Sequence, residues 1–338
     1  MMRRKAVYIM LGLAVVLFSF MAAYGAEPSK ITLKMVDTFK PDHFATRRYL
    51  ELFKEIGRRS QGRLEIIRVG GPEMIPLKDQ LTICGKGGID VIFLQSHFYS
   101  GVVPEGMILG LPVVPWSFDN AAKFVNSVID DLDKIYRKKT NVCVMPGAYG
   151  ATGVYVFTRT KEVKSPDDLK GLKIRTMGGY EASVLEALGA APTFVAPAEI
   201  YTAAERGVVN GATRMVQAAI EWKEYEIWKY FTRTPLHLFI GGLVAINVDT
   251  FNKLPADLQK LIVDTCKDET PSIIKYHEDT EKEAIPLLTS KGVKMVDLEP
   301  GELKRWQSTP ASAAEKYYLK MASENGKALM EKLKAAAR

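Results

Sequence analysis

Apolar residues along this chain fall into two alternating rhythms. Short runs show the two-residue period or continuous burial of strands, and longer stretches show the three-to-four-residue spacing of helices. Ile31 to Val36 predicts a first strand, and Tyr49, Leu52, Phe53 and Ile56 then recur at i, i+3, i+4 and i+7, as on one helix face. Ser60-Gln61-Gly62 breaks that helix, and Arg63 to Val69 returns as a strand. Leu77, Leu81 and Cys84 form a helical stripe ended by Gly87-Gly88, before a buried strand over Ile89 to Leu94. Ala121, Phe124, Val128, Leu132 and Ile135 predict one long helix behind an Asp119 cap.

A second block begins near Val154. Ser165-Pro166-Asp167-Asp168 is a helix start, with Ser at the cap, Pro at the first position and a carboxylate at the third. Gly171 stops it, Leu172 to Ile174 reads as a strand, and Val184, Leu185 and Leu188 lie on a helix closed by Gly189. Thr193 to Val195 and Val208-Val209 predict short strands around a helix at Ile200, and Val216 to Ile227 is helical again. Leu243 to Asn247 follows as a strand, then a long helical region from Pro255 and a Lys-rich C-terminal helix. This alternation predicts an α/β fold with largely parallel sheets. No short repeat or low-complexity linker separates the blocks, so two lobes are expected to be interwoven.

The N-terminus changes the picture of where this chain works. Arg3, Arg4 and Lys5 precede an almost unbroken apolar run from Ala6 to Ala23, and Ala23-Tyr24-Gly25-Ala26 supplies small residues for cleavage. That is the layout of a secretory signal peptide over residues 1–26, a permanent membrane anchor being the competing reading. Removal near Ala26 takes away those three cations and lowers the formal charge from +7 to +4. Lys and Arg are intermixed with acids throughout, which argues against a nucleic-acid partner. Cys84, Cys143 and Cys266 are odd in number and far apart, so buried thiols are expected in place of a disulfide framework.

Catalytic and metal motifs are missing: no GxSxG, HExxH, P-loop or GxGxxG occurs. His43, His97, His237 and His277 are too scattered for a ligand set and are read as ordinary surface or supporting histidines. No cofactor, no metal and no enzymatic activity are expected. The informative stretch is Ser165 to Tyr180. Arg175 sits where a strand ends and Met177-Gly178-Gly179 turns into a helix, the edge of an open α/β sheet where ligands bind. A guanidinium there can grip a carboxylate through two parallel hydrogen bonds, with help from the helix N-terminus. A surface salt bridge explains such an Arg equally well.

The run Val163-Lys164-Ser165-Pro166-Asp167-Asp168-Leu169-Lys170-Gly171-Leu172-Lys173-Ile174-Arg175 resembles the signature of DctP-type solute-binding proteins. These serve tripartite ATP-independent periplasmic (TRAP) transporters. Ala187-Leu188-Gly189-Ala190-Ala191-Pro192, Glu199-Ile200-Tyr201, Arg206-Gly207-Val208-Val209-Asn210-Gly211 and Lys253-Leu254-Pro255-Ala256-Asp257-Leu258-Gln259 agree. So do Gly70-Gly71-Pro72-Glu73, Gly88-Ile89-Asp90 and Leu111-Pro112, so the resemblance spans nearly all of the mature chain. It implies a two-lobed, periplasmic-binding-protein-like fold of the type II kind, its lobes joined by crossing strands and a long helix. Lobe I is expected over 27–152 plus 241–280 and lobe II over 153–240 plus 281–338.

By the same resemblance the family's carboxylate-binding Arg falls on Arg175. The segment after Ile89–Leu94 brings Gln95, Ser96, Phe98 and Tyr99 to the cleft, with Glu73, the Asp37-Thr38-Phe39 loop and Tyr149-Gly150 as further candidates. Two departures stand out. Asn210-Gly211-Ala212-Thr213-Arg214-Met215 replaces the family's Asp-Gly-Gln-Glu-Asn-Pro run, putting Arg214 where a pocket Asn is usual. Tyr155 stands where sialic-acid-binding members carry a second Arg. Arg214 is either a second clamp for a dicarboxylate or is paired with a protein carboxylate such as Glu221 or Glu73. The aromatic residues Phe98, Tyr99, Tyr155 and Trp222 tilt the expectation toward an apolar or aromatic monocarboxylate, an oxo or hydroxy acid. The expected partners are that acid and the membrane subunits of a TRAP transporter, with a periplasmic monomer as the working form (a dimer is compatible). A C4-type dicarboxylate receptor is the alternative, and a periplasmic enzyme acting on an acidic small molecule is the rival of another class.

Overall fold

The computed structural model describes residues 30–338; the expected signal peptide lies outside them. The first block builds β1 (Ile31–Val36), α1 (Phe44–Arg59), β2 (Leu64–Gly70), α2 (Leu77–Gly85) and β3 (Val91–Leu94). It continues through α3 (Phe118–Asn126), α4 (Ile129–Thr140) and β4 (Val142–Val144). The second block builds β5 (Gly150–Thr158), β6 (Lys173–Thr176), α5 (Tyr180–Ala187), β7 (Ala191–Phe194), α6 (Ile200–Glu205), β8 (Gly211–Arg214) and α7 (Val216–Glu221). Next come β9 (Tyr230–Thr232), β10 (His237–Gly241), β11 (Leu243–Asn247), α8 (Val248–Lys253) and α9 (Ala256–Ser290). The last elements are β12 (Lys294–Val296), α10 (Leu303–Met321) and α11 (Glu324–Ala336).

Two sheets result. The first runs β2-β1-β3-β11-β4, and the second β12-β9-β5-β8-β6-β7, with β10 lying along β5. Both are mixed, which corrects the expectation of largely parallel sheets: β11 runs antiparallel to β3 and β4, and β5 antiparallel to β8, β9 and β10. The antiparallel strands are those the chain uses to pass between sheets. β4 belongs to the first sheet and β5 to the second, while β10 and β11 make the return passage around Gly242, whose φ is +76°. A side chain there would strike the Phe93 ring and the Tyr49 hydroxyl. A third connection is α9, whose 35 residues extend about 52 Å at 1.5 Å per residue. It packs on α1 from the first block and on β5 and α7 from the second. The fold is thus two α/β lobes joined by crossing strands and a long helix.

The helix stripes explain the burial. Tyr49, Leu52, Phe53 and Ile56 of α1 are all at most 4% exposed and meet Ile262 and Cys266 of α9 in one core. Each such large apolar side chain is worth about 1.5–3 kcal/mol when buried. Gly147 lets the outgoing crossing lie against α9: its φ is +109°, and a Cβ would sit 2.5 Å from the Cys266 carbonyl. That carbonyl accepts from the Ala148 N–H at 2.9 Å and from the Thr270 hydroxyl at 2.8 Å. The crossing is therefore pinned one turn before Pro271, where the helix lacks a donor of its own.

Several boundaries differ from expectation for local reasons. The single helix expected behind an Asp119 cap is two, α3 and α4; α3 is capped by a reciprocal Ser117–Asn120 box, with Asp119 inside its first turn, and α4 has no side-chain cap. The Ser127 hydroxyl donates to the Phe124 carbonyl at 2.6 Å, a competing bond at the break. Val208-Val209 is a turn and not a strand; the strand is β8, where Gly211 comes too close to the Phe157 carbonyl for any Cβ. The helix expected to reach Ile227 ends at Glu221, because Lys223 turns left-handed at φ +54°. The C-terminal helix is likewise two, and α11 packs against the 104–108 turn and α3 of the first block. All three cysteines are free and buried, burial pushing each thiol up to about 12.

Candidate functional site

Arg175 lies inside β6, between β7 and β8, and not at the strand's end. Its side chain is 1% exposed. Nε donates to the Val195 carbonyl at 2.9 Å and Nη1 to the Thr213 carbonyl at 3.2 Å, while Nη2 is buried without a protein partner. Burial, then the charge of Arg214, pull its pKa down to about 10, which still leaves it cationic at neutral pH. Nearby carboxylates are otherwise engaged. Glu181 takes the Thr176 hydroxyl and the Met177 N–H at 2.6 Å each, and lies 3.2 Å from His237 Nε2. Burial raises the Glu181 pKa, but the bond and charge at His237 outweigh it and hold the group near 2. Arg175 is thus a buried cation that lines a cavity and keeps one nitrogen without a protein acceptor.

Arg214 is closed off differently. Nε donates to both Glu224 oxygens at 2.9 and 3.0 Å, and Nη2 lies 2.6 Å from Glu224 Oε1, off the line of a hydrogen bond. The Trp228 indole N–H also donates to Glu224, at 3.1 Å. The expected protein partner is therefore neither Glu221 nor Glu73: the left-handed turn at Lys223 brings Glu224 in instead. Trp222 covers the pair from outside, its ring centre 5.9 Å from the Arg214 guanidinium carbon and 5.3 Å from the Lys40 amine.

The cavity between the lobes has two chambers that share Phe39, His43, Gln95, Met215 and Phe239 as walls. One chamber adds Phe98, Arg175, Met177, Pro197, Arg214 and Ala218; the other adds Phe44, Phe93, Gly150, Thr152, Gly241 and His277. Each encloses about 20 Å³, room for roughly one water. The much larger groove of about 850 Å³ beside α1 and β2 is an open surface hollow lined by Lys30, Glu51 and Lys54 among others, and it shares no lining residue with the Arg175 chamber.

Among the expected residues, Arg175, Arg214, Gln95, Phe98, Phe39 and Gly150 meet at this cavity. Others point elsewhere. Tyr99 donates its hydroxyl to the Leu77 carbonyl at 2.8 Å, and Ser96 is buried beside Gly106. Tyr149 reaches Ala122 and Asn126, and Tyr155, although paired with Arg214 across β5 and β8, donates to Glu281 of α9 at 2.7 Å. Glu73 is 65% exposed and folds back on the Gly71 N–H at 2.7 Å. Asp37 faces Arg68 at 3.5 Å, and Thr38 donates to the Phe93 carbonyl at 2.8 Å.

None of the four histidines is at the surface, since all are buried, and three of them support neighbouring groups. His43 caps α1, accepting the Ala45 N–H at 3.2 Å and stacking on Phe39 at 4.0 Å between ring centres. His97 and His237 flank the Tyr180 hydroxyl at 3.4 Å each. His277 reaches the cavity from α9. Among the described residues no cluster of His, Cys, Asp or Glu is arranged to hold a metal.

Comparison with known proteins fits this architecture. A solute-binding protein of Albidiferax ferrireducens is 25% identical over 94% of this chain and 95% of its own length. The 2,3-diketo-L-gulonate-binding periplasmic protein of Escherichia coli is 26% identical over 75% of this chain and 76% of its own. The TRAP periplasmic solute-binding protein of Desulfovibrio salexigens with bound orotic acid superposes with a TM-score of 0.82, at 20% identity, covering 91% of this chain and 99% of that one. The Bordetella pertussis extracytoplasmic receptor binding pyroglutamic acid gives 0.80 at 17% identity, covering 90% and 99%. The model of the bacterial extracellular solute-binding proteins of family 7 matches residues 35–324, from the first strand to the start of the last helix. The chain belongs to that family, the DctP-type solute-binding receptors, which bind and do not catalyse.

Proposed function

We propose that this protein is an exported receptor for a small organic monocarboxylate, which it delivers to the membrane subunits of a TRAP transporter. The observation that carries this reading is the buried Arg175 Nη2, a charged donor with no protein acceptor. An uncompensated buried charge is costly, and an entering carboxylate relieves it through a charge-assisted bond. Related structures hold orotic acid, pyroglutamic acid, malonate and D-glucuronate, which supports an acid as ligand. One carboxylate is favoured over two because Glu224 already neutralises Arg214.

The lobes divide as residues 27–152 plus 241–280 and 153–240 plus 281–338, with α11 reaching back to the first. The two 20 Å³ chambers are too small for an organic acid, so entry requires the lobes to part about the crossings and α9. Closure then follows from contacts the ligand makes with both. No described helix is long and apolar enough to cross a membrane. Export with loss of residues 1–26 is checked by mass spectrometry of the mature N-terminus.

The test is calorimetry with matched mono- and dicarboxylates. Wild type is expected to favour the monocarboxylate at least tenfold, and Glu224→Gln to narrow that gap by releasing Arg214. A tenfold preference of wild type for the dicarboxylate, erased by Arg214→Asn, would instead make Arg214 a direct second clamp and the protein a dicarboxylate receptor.

A further inference from the structure

His277 has an unusual position for a side chain with two polar atoms. It is 5% exposed, yet neither Nδ1 nor Nε2 has a protein partner, and the ring forms part of the cavity wall. The ring is held in place: Phe44 meets it edge-on at 5.2 Å between centres, and the Gly150 backbone lies so close that a Cβ there would be 2.2 Å from the imidazole. Its backbone carbonyl accepts from Gln217 at 3.1 Å and from Thr280 at 3.0 Å. Gln95 repeats the pattern from the end of β3, being 3% exposed and lining both chambers with an Oε1 that has no partner. Buried polar atoms are rarely left unpaired, and a set of them around one cavity needs an explanation.

We propose that His277 and Gln95 form a second, uncharged recognition pole, which selects monocarboxylates whose far end carries a group able both to donate and to accept a hydrogen bond, a hydroxyl or a lactam. The proposal rests on the reading of Arg175 as the carboxylate anchor. Arg175 lines one chamber and His277 the other, and the shared walls between them are mostly apolar or aromatic: Phe39, Phe239 and Met215. A ligand spanning both chambers presents its charge to Arg175, its body to those rings, and its far end to His277 and Gln95. A neutral imidazole offers one N–H and one lone pair, and the Gln95 carbonyl adds an acceptor. Burial lowers the His277 pKa to about 3, the Arg48 charge adding to it, so the pole is neutral and has no cation for a second carboxylate. A plain alkyl or cycloalkyl acid of the same shape leaves these atoms desolvated and unpaired, the situation in which binding sites discriminate most strongly.

The experiment is calorimetry with pairs that share a skeleton: pyroglutamate against cyclopentanecarboxylate, and 3-hydroxybutyrate against butyrate. Wild type is expected to bind the polar member of at least one pair tenfold or more tighter than its apolar partner. His277→Phe and, independently, Gln95→Met are expected to reduce that ratio to threefold or less while the apolar member still binds. Two variants on different elements, one after β3 and one on α9, keep the test open if one fails to fold, and the wild-type ratio needs neither. Imidazole 15N resonances absent from His277→Phe should shift on adding the polar member. Acids that bind in an Arg175-dependent way without a tenfold ratio, or a ratio that survives both substitutions, overturn the second pole and leave the carboxylate reading standing. Binding of no acid in the panel overturns both.

Discussion

Arg175→Ala is expected to lower affinity for the organic acid by about 30- to 5,000-fold, the equivalent of about 2–5 kcal/mol for truncating one partner of a buried, hydrogen-bonded charge pair. The large value follows from where the guanidinium sits. At 1% exposure there is no water to replace it, and the protein has already committed Nε and Nη1 to the carbonyls of Val195 and Thr213. Those two bonds fix the plane of the fork and leave Nη2 as the nitrogen free for a ligand. Arg175→Lys should rescue little, because an ammonium on a flexible stem cannot satisfy both carbonyls and the ligand in one plane. The fold should survive either change, since β6 keeps its pairing with β7 and β8 through the backbone. Calorimetry alongside circular dichroism checks both halves. Unchanged affinity in Arg175→Ala, with native circular dichroism, would show that this Arg is a structural strut between strands.

How much of this was legible in the sequence depends on the distance over which each residue's position is decided. Arg175 is placed by its own strand and by the Ser165–Asp168 turn ahead of it, all local signals, and the motif located it. Gln95 and Phe98 were located too, but together with Ser96 and Tyr99, which point away. The reason is the short 3-10 helix over Ser96–Tyr99. At three residues per turn, Gln95 and Phe98 share one face while Ser96 and Tyr99 share another. A segment read as simply lining the cleft cannot distinguish the two. Arg214 was found as a departure from the family pattern, but its partner was not, since choosing Glu224 over Glu221 required knowing that Lys223 turns left-handed.

His277 carried no local signal at all. It lies mid-way along a helix of ordinary amphipathic spacing, and only the passage of Gly150 against that helix turns a core position into a cavity wall. Phe239 and Gly241 were missed for the same reason. They belong to the returning crossing, whose register on β5 joins residues far apart in sequence, such as Gly241 and Gly150. Local period and capping chemistry thus located the Arg175 strand, whereas the pole supplied by α9 depends on long-range pairing that spacing does not encode.

The same buried histidines predict a steep loss of stability in mild acid. Burial holds His97 and His277 near 3 and His43 well below its ordinary value, with Arg214 and His277 charges adding to the effect on His43. In the unfolded chain each titrates near 6.5. Between about pH 6.5 and 3 the unfolded state therefore binds more protons than the folded one, and stability falls as pH falls. The contribution is fully present above pH 6.5. At pH 5 His97 and His277 have each lost up to about 2 kcal/mol, at 1.36 kcal/mol per pH unit, so the two together set a ceiling of about 4 kcal/mol, and His43 acts in the same direction. Glu181, held near 2, adds to the loss below about pH 4.5. Asp37 and Glu221 act the other way, because burial raises both, and they soften the fall in the range just above their ordinary carboxyl values, before Glu181 begins to act. Between pH 7.5 and 5.0 the histidines dominate, and Tm is expected to drop by about 10 °C for a chain of this size. Scanning calorimetry of wild type, His97→Phe and His277→Phe over that range makes the assignment: each substitution should flatten the slope by removing one proton-binding site of the unfolded state. A Tm that stays level from pH 7.5 to 5.0, or a slope unchanged in both variants, would mean that these imidazoles become hydrated before the protein unfolds.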